Sequence, residues 1–61
     1  MPTVYLNWRG PKGRETIDEV RSEDFRTKEL WRREIRRLCL EYVNAGMDVY
    51  PSRRPCAGWN D

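Results

Sequence analysis

The sequence predicts a small α+β domain in which two strands, one helix and a third strand follow one another along the chain. Apolar residues alternate with polar ones near the amino terminus, which is the period of a strand. They then recur about every three or four residues over a central segment, which is the period of a helix. At Gly46 the helical pattern stops and a second alternating segment begins.

The first strand is the most regular segment of the chain. Val4, Leu6 and Trp8 alternate with polar or amphipathic neighbours, and they predict a strand with one strongly apolar face. A Gly-Pro-Lys-Gly sequence follows at residues 10–13 and predicts a tight turn. The chain therefore reverses direction at this point.

The second strand is predicted over residues 14–20, where the alternation is weaker. Ile17 and Val20 have opposite parity, so they cannot both point to the same face of a regular strand. This pattern predicts a β-bulge or an early end of the strand near Glu19.

The helix is predicted over residues 29–43. Ser22 and Thr27 are both candidates for the residue that caps its amino terminus. One apolar stripe runs along this segment at helical spacing, and its members are Trp31, Ile35, Leu38 and Tyr42. Gly46 is placed to end the helix in the left-handed conformation.

Residues 47–52 alternate again and predict a short third strand. Pro51 cannot donate a ladder hydrogen bond, so this strand is expected at an edge of the sheet. Residues 53–61 are predicted to form an irregular tail. Within it, Trp59 is expected to fold back onto the uncovered face of the sheet, and the alternative is that it is itself an anchor for a partner. Cys56 is expected to be accessible to solvent.

These elements predict one ββαβ domain over residues 1–61. The first strand is the most apolar and is expected at the centre of a three-stranded antiparallel sheet of order 2-1-3. The helix is expected to cover one face, because one layer of sheet and one of helix is the smallest arrangement that buries both apolar surfaces.

A catalytic function is disfavoured by the composition. The chain of 61 residues has 12 Lys and Arg, 10 Asp and Glu, and no His, so the commonest general base is missing. Neither Cys39 nor Cys56 has a candidate base, and two cysteines without histidine do not make a usual zinc-binding set. We therefore expect no enzymatic activity, no cofactor and no metal site.

Nucleic-acid binding is one alternative for function. Arg32, Arg33, Arg36 and Arg37 are expected on the outer side of the helix, where they would contact phosphates. The aromatic residues Tyr5, Tyr50 and Trp59 would then stack on bases. The net charge of only +2 and the glutamates interleaved on the same helix disfavour this alternative.

Protein binding is the other alternative. Leu40 is expected to project from the middle of the arginine-rich side of the helix. Arginine is enriched at protein interfaces, so an apolar residue surrounded by arginines is more typical of a contact with a protein than of a contact with a phosphate backbone.

Two short motifs resemble the small podovirus inhibitors of bacterial RNA polymerase. The first is Tyr42-Val43-x-Ala45-Gly46 followed by an apolar residue, an acid and Val49, and the second is Arg54-Pro55-Cys56. The resemblance implies docking on polymerase through arginines of the third strand. Arg54 stands at a matching position, whereas Ser52 stands at the other and Arg53 is its nearest substitute. More broadly, the chain resembles small uncharacterised proteins of phages and prophages.

The leading prediction is therefore a non-catalytic protein-binding module of phage or prophage type. Its expected partner is a bacterial host protein, with RNA polymerase as the candidate that the resemblance implies, and its expected location is the host cytoplasm. Nucleic-acid binding and an accessory role without separable activity stay as alternatives. The residues predicted to contact the partner are Arg33, Arg36, Arg37, Leu40, Tyr50, Arg53 and Arg54.

Overall fold

The computed structural model describes residues 2–59 and contains the predicted elements in the predicted order. These are strand β1 (Thr3–Gly10), strand β2 (Gly13–Arg21), helix α1 (Lys28–Asn44) and strand β3 (Val49–Ser52). A one-turn 3-10 helix (Ser22–Asp24), which the sequence pattern did not predict, lies between β2 and α1. The three strands form one antiparallel sheet in the order β2-β1-β3. The predicted α+β class, ββαβ topology and 2-1-3 order are confirmed.

Helix α1 begins at the second of the two predicted caps. The Thr27 hydroxyl accepts a hydrogen bond from the Leu30 backbone N–H at 3.2 Å. Ser22 instead begins the 3-10 helix that connects β2 to this cap. Thr27 therefore satisfies one of the backbone donors that the first turn of a helix leaves unpaired.

The carboxyl terminus of α1 closes around Gly46, which has a φ of 88°. The Gly46 N–H donates to the carbonyl of Val43, and the Met47 N–H donates to that of Tyr42, both at 3.0 Å. This pair of bonds is the Schellman arrangement. The Met47 N–H is thus used to close the helix, and β3 begins at Val49, two residues after the predicted start.

Strand β2 contains a bulge, but the bulge lies before the predicted place. The register with β1 shifts at Ile17, which is the extra residue, and the strand continues past Glu19 to Arg21. The sequence indicated the mixed parity correctly. The sequence did not determine at which position of β2 the extra residue would lie.

The bulge changes which residues of β2 share a face with their partners on β1. Asp18 pairs with Leu6 on one face, whereas Thr16 pairs with Asn7 on the other. In a regular strand, Thr16 and Asp18 would point to the same face of the sheet, because residues i and i+2 do so. The bulge therefore places Thr16 beside a polar residue of β1 rather than beneath the helix.

One face of the sheet packs against α1. Leu6 is completely buried there, and Val20 and Val49 are almost completely buried with it. Trp31 of the helix is also buried, and its indole Nε1–H donates to the carbonyl of Val20 at 3.0 Å. The other members of the predicted stripe are half-buried: Ile35, Leu38 and Tyr42.

The tail lies against the other face of the sheet. The Asn7 side-chain amide donates to the carbonyl of Arg54 at 3.1 Å, and the Thr16 hydroxyl donates to the Asn7 side-chain oxygen at 2.7 Å. The same hydroxyl accepts from the backbone N–H of Cys56 at 2.7 Å. Cys56 is consequently half-buried and not freely accessible, which corrects the expectation from the sequence. Trp59 is half-buried as well.

Candidate functional site

A groove runs between α1 and β3 on the helix-covered side of the protein. We call it the α1–β3 groove, and its lining residues are Arg32, Ile35, Arg36, Cys39 and Pro51. Burial raises the pKa of the Cys39 thiol, so Cys39 stays neutral and contributes apolar surface at neutral pH. The groove therefore combines an apolar floor with two arginines.

A second depression continues from the first at the amino-terminal end of α1. We call it the basic cleft, and its lining residues are Pro2, Thr3, Val4, Lys28, Trp31, Arg32 and Arg53. Arg32 lines both depressions, so the groove and the cleft adjoin each other at this residue. Arg53 of the predicted site thus meets the arginine-rich side of the helix, although the two stand far apart in sequence.

The outer side of α1 exposes apolar residues next to charged ones. Leu40 is 57% exposed and Val43 is 52% exposed. Arg33 and Arg36 are exposed on the same helix, together with Glu29. Within residues 2–59, neither of these two arginines forms an ion pair. The structure therefore presents Leu40, Arg33 and Arg36 to solvent, as their predicted role requires.

Arg37 differs from its neighbours because its charge is already paired. Its guanidinium forms ion pairs with Glu34 and with Glu41, the latter at 3.1 Å. The hydrogen bond that Arg37 donates to the Glu34 carboxylate is the main cause that raises the pKa of Arg37, and the same bond lowers the pKa of Glu34. Among the predicted helix residues, Arg37 is the least available for a partner.

Tyr50 lies on the opposite face of the sheet from α1. It pairs in register with Asn7, whose side chain contacts the tail. The guanidinium carbon of Arg9 lies 4.4 Å from the centroid of the Tyr50 ring, within cation–π distance. Arg9 also forms an ion pair with Asp48 at 3.4 Å. Tyr50 is therefore half-buried and does not join the surface formed by the helix.

Arg54 is held through its backbone at the start of the tail. Its N–H donates to the Ser52 hydroxyl at 3.2 Å, and its carbonyl accepts the bond from Asn7. The residue is exposed overall. The predicted site therefore divides into two groups, with Arg53 on the α1 side and with Tyr50 and the backbone of Arg54 on the face of the sheet that contacts the tail.

Two cations that line the groove or the cleft, Lys28 and Arg32, were not predicted as partner contacts. Lys28 had no assigned role, and Arg32 entered only the nucleic-acid alternative. A signal for Lys28 was present, since a cation in the first turn of a helix opposes the helix dipole. Such a placement is unfavourable for the helix alone and is often associated with function.

Other kinds of site are not found in the part of the chain that the structure describes. No group of three His, Cys, Asp or Glu residues there lies close enough to hold a metal ion. No helix in residues 2–59 has the length and hydropathy needed to cross a membrane. Comparison with known proteins gives no matching family model, no matching curated protein and no matching solved structure.

Proposed function

We propose that this protein is a non-catalytic binding module of phage or prophage type that recognises a bacterial host protein. The α1–β3 groove and the adjoining outer side of α1 form its general contact surface. For RNA polymerase as the specific partner, the resemblance implies contacts through Arg53 and Arg54. The observation that carries this proposal is the separation of the arginines of α1 from the aromatic residues Tyr5 and Tyr50. These two groups lie on opposite faces of the sheet.

This separation bears directly on the nucleic-acid alternative. Binding to a single strand combines a basic groove with aromatic side chains on which successive bases stack. Tyr5 and Tyr50 lie on the face that contacts the tail, and both are half-buried. Trp59 belongs to the tail itself, and its indole Nε1–H is buried. The aromatic residues are therefore unavailable to a strand that follows the arginines of α1.

The composition of the α1 surface favours a protein partner. Leu40 and Val43 are large exposed apolar residues, and the groove adds an apolar floor beside them. Arg33 and Arg36 carry unpaired charge next to these residues. Protein interfaces typically place apolar anchors in the centre and use arginine for both contact area and hydrogen bonds.

Capture from bacterial lysate tests the general proposal. We expect immobilised protein to retain a host protein equally well before and after nuclease treatment. The double variant Arg36→Ala/Leu40→Ser should bind that protein about thirtyfold more weakly, which corresponds to about 2 kcal/mol for an interface hot spot. The control variant Lys12→Ala/Arg14→Ala changes exposed residues of the hairpin and should bind like the wild type. Loss of every captured protein after nuclease treatment would contradict the proposal.

Transcription in vitro tests RNA polymerase as the specific partner. The wild-type protein is expected to inhibit bacterial polymerase at micromolar concentration. The variant Arg53→Ala/Arg54→Ala should lose this inhibition while its thermal midpoint stays unchanged, because both residues are exposed. Normal transcription in the presence of the wild-type protein would exclude polymerase and leave the broader proposal in place.

A further inference from the structure

The basic cleft concentrates three cations without a compensating acid. Lys28 and Arg32 come from the first turns of α1, and Arg53 comes from the chain just after β3. The remaining lining residues are apolar or uncharged: Pro2, Thr3, Val4 and Trp31. Tertiary packing therefore brings together three positive charges that are separated in sequence.

These charges are not neutralised elsewhere in the described chain. Within residues 2–59, none of the three forms an ion pair, whereas Arg9, Arg21 and Arg37 all do. Three like charges around one depression repel one another, and the amino-terminal end of the helix adds partial positive charge beside Lys28. An anion placed in the cleft would relieve this repulsion.

We propose that the basic cleft binds carboxylates of an acidic segment of the partner protein, while the α1–β3 groove holds an apolar side chain of the same segment. This inference rests on the proposed function and specifies the chemistry of the partner. Arg32 lines both depressions, so an apolar anchor and an acidic side chain close to it in sequence reach the two parts together.

The surroundings of the cleft favour a compact acidic segment over a nucleic-acid backbone. A phosphate backbone requires positive charge along an extended track. On α1, Glu29 lies among the arginines, and Glu34 and Glu41 form ion pairs with Arg37. Within residues 2–59, the lining of the cleft itself holds three cations and no acid, and Glu29 lies beside Arg32 on the adjoining helix surface. Trp31 is buried and also donates its indole N–H to Val20, so it offers no free face for base stacking.

Fluorescence anisotropy with the full chain tests this inference. The probe is a short labelled peptide in which leucines precede a run of glutamates, and a second peptide has glutamine in place of every glutamate. The variant Lys28→Gln/Arg53→Gln should bind the acidic peptide about tenfold more weakly, as expected for the loss of two exposed ion pairs of ordinary strength. The control Lys12→Gln/Arg14→Gln removes the same charge at the hairpin and should bind within about twofold of wild type. The glutamine peptide should bind the wild type and both variants weakly. Its affinity for each of them should not exceed the affinity of Lys28→Gln/Arg53→Gln for the acidic peptide.

The Trp31 indole N–H provides an independent readout by NMR, because this side chain lines the cleft. Its resonance should shift when the acidic peptide is added to the wild type, and it should stay in place with Lys28→Gln/Arg53→Gln. Equal weakening by the cleft and hairpin variants would overturn the inference, since binding would then follow net charge alone. Absence of peptide binding at millimolar concentration would also overturn it.

Two further outcomes separate this inference from the proposed function. If a mixed-sequence single-stranded DNA binds through Lys28 and Arg53 more tightly than the peptide, the cleft is a phosphate site and the inference is wrong. If a captured host protein is lost with Arg36→Ala/Leu40→Ser but retained by Lys28→Gln/Arg53→Gln, the proposed function stands and only the cleft assignment fails.

Discussion

Replacement of Leu6 by Ala is expected to unfold a large part of the protein population. Among the large side chains of residues 2–59, only that of Leu6 is completely buried, and it lies at the centre of β1 beneath α1. A buried Leu→Ala change costs about 2–5 kcal/mol. A domain of this size has a total stability of only about 3–9 kcal/mol. Urea denaturation followed by circular dichroism measures the loss as a lower midpoint.

Two other leucines provide matched controls for Leu6→Ala. Leu40 is 57% exposed, so Leu40→Ala should change the free energy of unfolding by less than about 0.5 kcal/mol. Leu38 is half-buried, and Leu38→Ala should fall between the other two variants. A Leu6→Ala protein with an unchanged urea midpoint would mean that the core is assigned to the wrong residues.

Replacement of Thr16 by Val is expected to release the tail from the sheet. The Thr16 hydroxyl donates to Asn7 and accepts from the Cys56 backbone N–H, so the nearly isosteric valine leaves both groups without a partner. Each such stranded group costs about 1–3 kcal/mol when it is buried. The thiol of Cys56 should then react faster with a thiol reagent, which is measured in a Cys39→Ala background so that only one thiol is labelled.

The variant Thr16→Ser separates the hydroxyl from the rest of the side chain. Serine retains the donor and the acceptor, so Cys56 should be labelled nearly as slowly as in the Cys39→Ala parent. If Thr16→Val protects Cys56 as well as threonine does, the tail is held by contacts other than this hydroxyl. The bond that the Asn7 side-chain amide donates to the Arg54 carbonyl would then be a candidate for such a contact.

Local sequence alone was sufficient for the elements and their order. The alternation around Leu6, the helical stripe that begins at Trp31 and the glycine at 46 each reflect geometry within a few neighbouring residues. The apolar character of β1 then determined that it would be the central strand, and Pro51 determined that β3 would lie at an edge. These features depend on chain chemistry and on the cost of leaving apolar surface or backbone groups exposed.

Details that involve two segments at once were decided only by the tertiary structure. The position of the bulge at Ile17 depends on which pairing lets Thr16 reach Asn7 and the tail. Likewise, Cys56 belongs to a segment without periodicity, and its burial follows from a hydrogen bond to a residue 40 positions away. Sequence periodicity carries no information about such long-range polar contacts.

The candidate site shows the same division. Exposure of Leu40, Arg33 and Arg36 followed from the helical period, because the side opposite a buried stripe faces solvent. The meeting of Arg53 with Lys28 and Arg32 did not follow, since it depends on where α1 crosses the sheet relative to the end of β3. The separation of Tyr50 from these cations also depends on strand register, which sends neighbouring residues of β3 to opposite faces. The sequence by itself thus determined which residues carry charge and apolar surface, and packing decided which of them act together.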